Sequence, residues 1–105
     1  MPAARKTFPP LPTTVEAPGG AIAIIFKPTL RHADGTECWG MFDLANRTIE
    51  IATTTAPKRH QWRTLFHELT HAALDDAGIS QGMTDAMQET LCECIATARM
   101  RERFG

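Results

Sequence analysis

The spacing of apolar residues changes period near residue 55, and this change constrains the fold more than any other feature of the chain. Before it, "RTIEIATTT" alternates: Ile49, Ile51 and Thr53 share one face of an extended strand, and Thr48, Glu50 and Ala52 share the other. After it, Trp62, Leu65, Phe66, Leu69, Ala72, Ala73 and Ala77 recur at helical intervals. A chain that reads as strands first and helices afterwards predicts an α+β fold, a sheet followed by the helices that pack with it.

The remaining elements fit that order. "AIAIIF", from Ala21 to Phe26, is a short apolar run closed by Lys27-Pro28, and predicts a buried strand. Asp34-Gly35 between two extended segments predicts a hairpin, and Asn46 offers a further turn. The expected sheet is small and antiparallel, with three to four strands. Thr55 as cap, Pro57 in the first turn and Gly78 at the far end bound a first helix over about residues 57–77. Thr84 and Asp85 open a second helix to about Arg103, with Met87, Leu91, Cys94, Ile95 and Ala98 turned inward. Its terminal arginines read as a solvated helix end. Residues 1–20 carry five of the seven prolines and end in Gly19-Gly20, which predicts an extended, loose Pro-rich lead-in to a folded domain over residues 21–105.

At 105 residues the chain suits one domain. A chain this long buries roughly two-thirds of its unfolded surface without staples. A net charge of −1 provides no bulk attraction to nucleic acid or anionic membranes, and neither is expected as a partner. No apolar run approaches the ~20 residues of a membrane span, and no apolar stretch follows Arg5 and Lys6 to make a secretory leader. Three cysteines, Cys38, Cys92 and Cys94, form no framework; the last two lie about 200° apart on a helix and cannot bridge each other. The expectation is a reduced, cytoplasmic protein, and no oligomeric state follows from these features.

Inside the first helix stands HELTH, His67 to His71. The two histidines are one turn and about 40° apart, so both imidazoles can reach one Zn²⁺ at roughly 2.0–2.1 Å. Glu68 sits beside them, placed to take a proton from a water on that metal rather than to ligate it. A catalytic zinc needs a third protein ligand and an open position. The other histidines, His32 and His60, both precede the motif, so the third ligand is expected to be a carboxylate, or failing that a thiolate. The second helix supplies Glu89 and Glu93, one turn apart on one face, and an antiparallel return carries that face over the histidines. Asp75, four residues after His71, and Cys38 are alternative ligands.

HELTH followed by a glutamate helix resembles the gluzincin metallopeptidases. The compact arrangement, over about Cys38 to Met100, is similar to minimal gluzincins, to small HExxH proteins of phage genomes and to the ImmA/IrrE-type peptidases. The resemblance implies a zincin-like domain in which Glu89 is the third zinc ligand and Glu93 supports His67 from behind. It implies Zn²⁺ as cofactor and hydrolysis of a peptide or protein in the cytoplasm, the host's if the chain is phage-encoded. The strand around "CWGMFDL" would be the edge strand beside the cleft, with Gly40 allowing a peptide close approach. Unlike larger gluzincins the chain has no tyrosine, so His32, His60, Arg59 or Arg63 would have to stabilise an oxyanion. The alternative reading is a catalytically silent zinc-binding regulatory or interaction module of the same fold.

Overall fold

The computed structural model describes residues 7–54 and 56–105. Among these residues six strands precede two α-helices: β1 (Thr14–Val15), β2 (Ile22–Lys27), β3 (Leu30–Arg31), β4 (Glu37–Cys38), β5 (Gly40–Asp43), β6 (Thr48–Ala52), α1 (Lys58–Asp76) and α2 (Asp85–Phe104). The class is α+β, as the change of period requires.

The main sheet has four strands in the order β1-β2-β6-β5, and β3 and β4 form a separate hairpin. The sheet is mixed rather than purely antiparallel: β2 and β6 run parallel, with Ile24 beside Ile49 and Phe26 beside Ile51. The intervening chain is long enough to hold the β3–β4 hairpin and the edge strand β5, so β6 returns beside β2 in the same direction. The hairpin turns at Asp34-Gly35 as expected, with Gly35 at φ +89° and Asp34 Oδ1 accepting from the Thr36 amide and hydroxyl.

Strand β2 is buried on one face only. Ile22 and Ile24 are enclosed, whereas Ile25 on the other face is 39% exposed, and Phe26, where the enclosed face reaches the strand end, is 42% exposed. On β6 the predicted alternation holds, and Ile49 and Ile51 are fully buried. These side chains pack against Trp62, Leu65, Phe66 and Ala72 of α1 and Ala96 and Met100 of α2. Each fully buried isoleucine or leucine contributes about 1.5–3 kcal/mol.

The proposed cap Thr55 lies outside the described residues, and Pro57 occupies the capping position of α1 with extended backbone. At the other end Gly78 is left-handed (φ +74°), its amide bonds the Asp75 carbonyl, and the Ile79 amide bonds that of Leu74, which closes the helix. Helix α2 is capped by Thr84, whose hydroxyl accepts from the Met87 amide.

Two expectations for the ends of the chain need correction. The described part of the lead-in, from residue 7, is not loose: it adds β1 to the sheet, buries Leu11, sets Phe8 edge-on to Phe104 and gives the Pro9 carbonyl to Trp62 Nε1 at 2.8 Å. The terminal arginines are not merely solvated either. Arg99 lies over the Phe66 ring at 4.4 Å and Arg103 over Trp62 at 5.2 Å.

Candidate metal centre

Helix α1 is wedged between the sheet and α2, so nearly its whole circumference is covered and HELTH is held on a rigid element. Gly40 of β5 sets the fit. A Cβ there would lie 2.5 Å from Thr64 Cγ2 and 3.2 Å from Glu68 Cγ. The close approach predicted at Gly40 is therefore used first by α1, which brings the edge strand against the HELTH turn.

From α2, Glu89 straddles both imidazoles, with Oε2 3.1 Å from His67 Nε2 and Oε1 2.9 Å from His71 Nε2. Behind them, His67 Nδ1 donates to Glu93 Oε1 at 2.7 Å and His71 Nδ1 donates to Gln88 Oε1 at 2.7 Å. A carboxylate can only accept, and the Gln88 oxygen likewise takes a proton, so in the neutral rings both Nδ1 atoms carry the hydrogen. Both Nε2 atoms are then lone-pair sites, and they face each other at 3.2 Å. With both rings neutral, two nitrogen lone pairs and a carboxylate face one another. That arrangement is what a bound cation resolves, and the donor set fits a divalent metal.

Glu68 is 8% exposed, and its Oε2 has no hydrogen-bond partner. Burial raises its pKa, opposed by His71 and His67 and reinforced by Glu89. Glu93 is pulled below the usual carboxylate range, chiefly by the Arg63 guanidinium at 2.7 Å and further by His67.

The structure thus brings together all five residues singled out in the sequence: His67, Glu68, His71, Glu89 and Glu93. His67, Glu68, Glu89 and Glu93 border a cleft of about 580 Å³ whose far wall is Cys38, Trp39 and Gly40 of the edge strand and the preceding residues, and His71 lines the neighbouring cavity. The Ala52 amide bonds the Trp39 carbonyl, which sets the phase of the β5–β6 ladder. Trp39, Met41 and Asp43 spend their backbone groups on β6, so those of Gly40 and Phe42 point off the free edge.

Other candidates separate. His32 and His60 line the cleft with Glu68; Arg63 does too, but it is spent on Glu93; Arg59 lies outside, beside Pro57 and Met100. Cys38 lines the cleft as a protonated thiol, its pKa raised by burial and by Glu68, outside the histidine cluster. Asp75 borders a neighbouring cavity with His71 rather than joining the cluster.

Two residues of the site were not anticipated. Gln88 orients His71, and Cys92, fully buried, has its sulfur within 4.8 Å of ring nitrogens of both His67 and His71. Burial, then Glu89, Glu68, Glu93 and Asp75, push this thiol up to about 12. Its signal lay in the spacing Glu89, Cys92, Glu93, a single helical face.

Comparison with known proteins returns no match to a family model, a curated protein or a solved structure. No helix among the described residues is long and apolar enough to cross a membrane.

Proposed function

We propose that the protein is a zinc-dependent metallopeptidase of gluzincin type. One observation carries the reading: His67 Nε2, His71 Nε2 and the Glu89 carboxylate converge, with contacts of 2.9–3.2 Å, beside a buried Glu68 whose Oε2 is unpartnered. His67, His71 and Glu89 hold the metal, and Glu93 and Gln88 orient the two rings. A divalent metal supplies Lewis acidity, polarising a carbonyl and acidifying water.

An extended peptide is received along the free edge of β5, where the backbone of Gly40 and Phe42 offers hydrogen bonds. Glu68 Oε2 takes a proton from the attacking water and returns it to the departing amine nitrogen as the C–N bond breaks. Its raised pKa suits both halves of that exchange. His32 and His60, on the cleft wall, are the imidazoles available to donate to the substrate carbonyl oxygen.

The test is metal content and peptide hydrolysis of the purified chain beside Glu89→Ala and Glu68→Gln. About one zinc per chain, lost in Glu89→Ala, with turnover abolished in Glu68→Gln while metal stays, supports the reading. A wild-type chain without metal sinks it.

A second reading, a zinc-holding regulatory module without turnover, draws support from the buried Cys92 thiol beside the histidines. Under it Glu68→Gln changes no functional property.

A further inference from the structure

Helix α2 presents two potential donors to the histidine pair, one turn apart on the same face. Glu89 is on the solvent side, its side chain 59% exposed, and Cys92 is on the core side, with no exposed surface. The sulfur of Cys92 and ring nitrogens of His67 and His71 lie mutually within 4.8 Å, a group compact enough to close on one ion. A buried thiol packed for shape alone needs no such neighbours. Near it, Glu68 is 8% exposed, lines the adjoining cleft and leaves a buried Oε2 unpartnered.

We propose that Cys92 is itself a metal ligand, closing the His67–His71–Glu89 site from the core side and selecting a thiophilic ion. This rests on the metal-centre reading above and goes beyond it. A His₂Glu set leaves an open position for chemistry, whereas His₂GluCys fills a tetrahedral shell. On binding, the Sγ–H bond breaks, the Sγ–metal bond forms and the proton leaves to solvent. The resting protein then holds a saturated ion, and hydrolysis requires either Cys92 or Glu89 to release it. A thiolate with two imidazoles favours Zn²⁺ or Co²⁺ and disfavours Mg²⁺ and Ca²⁺, which take oxygen ligands.

The experiment titrates the metal-free full chain with Co²⁺ under reducing, anaerobic conditions and reads its absorption spectrum. One cobalt per chain with a near-ultraviolet sulfur-to-cobalt charge-transfer band is expected. The band should survive in Cys38→Ser and Cys94→Ser and vanish in Cys92→Ala, with at least about a tenfold loss of affinity. Cobalt bound without that band, or a band that persists in Cys92→Ala, overturns the proposal while leaving a His67–His71–Glu89 site intact. No uptake of cobalt or zinc overturns this proposal and the metallopeptidase reading together. Because Cys92 is fully buried and its variant can misfold, zinc-edge X-ray absorption of the Cys38→Ser chain gives a second reading. A sulfur neighbour at about 2.3 Å supports the proposal; a shell of only nitrogen and oxygen at about 2.0–2.2 Å overturns it.

Discussion

Two single atoms decide how tightly the cleft is built. Gly40 lacks a Cβ where Thr64 Cγ2 would be 2.5 Å away, so Gly40→Ala must push α1 from the edge strand. We expect a loss of about 1–3 kcal/mol, the usual cost of overpacking, measured by urea unfolding. Thr64→Ser removes the offending methyl and should restore part of that loss in the double variant; no restoration would place the strain elsewhere. The other atom is Glu93 Oε1, which accepts from His67 while Oε2 accepts from Arg63. Glu93→Ala frees the His67 ring to turn and should weaken zinc about 10- to 100-fold in a competition titration, with the fold retained by circular dichroism. An unchanged affinity would show that Glu93 serves only Arg63.

At the scale of elements, the end of α1 and the lead-in are tied down by different chemistry. Its C-terminal turn is anchored by Asp76, which accepts from Arg47 Nη1 at 2.6 Å and from the Gly19 amide at 2.9 Å. The Arg47 bond, then the Gly19 bond, depress the Asp76 pKa. A depressed carboxylate stabilises the fold above its unfolded value of about 3.9 and loses that contribution as pH falls through the folded value. Arg47→Met should therefore lower Tm at neutral pH, and its deficit should shrink as pH drops below about 4. A constant deficit across that range would rule out the ion pair as its cause. The lead-in is anchored by Leu11, 7% exposed, and Leu11→Ala should cost about 2–5 kcal/mol in chemical unfolding. That last contact was not legible in the sequence, where the prolines of residues 1–20 spoke for a loose lead-in. What was legible is local: the Asp34-Gly35 turn, the Thr84 and Gly78 caps, the β6 alternation and HELTH each follow from a few adjacent residues. What escaped is pairing at a distance. Nothing near Ile24 or Ile49 says that their strands run parallel. The inward stripe of α2 was read on the bulky Leu91 and Ile95, but the fully buried positions are Cys92 and Ala96, small residues that let α2 lie close against α1. The same rotation hid Cys92, while Cys94, read as inward, faces solvent.

For the molecule as a whole, the proposed metal joins α1 to α2 where His67 and His71 of one meet Glu89 of the other. Zinc at 100 times its Kd adds about 2.7 kcal/mol to stability. Chelation should therefore lower Tm by roughly 10 °C, and a scan that does not move on adding EDTA would disconnect metal from fold. The two tryptophans stand in contrasting surroundings. Trp62 is 5% exposed, edge-on to Phe104 and bonded to the Pro9 carbonyl; Trp39 is 48% exposed at the cleft wall, edge-on to His60. Their fluorescence should divide accordingly. Trp62 emits from an apolar site and shifts to longer wavelength only when the chain unfolds, so it reports the core. Trp39 emits from water's edge and changes when something enters the cleft, so a Trp39→Phe chain gives an optical signal for folding alone, and a Trp62→Phe chain, if it folds, one for occupancy.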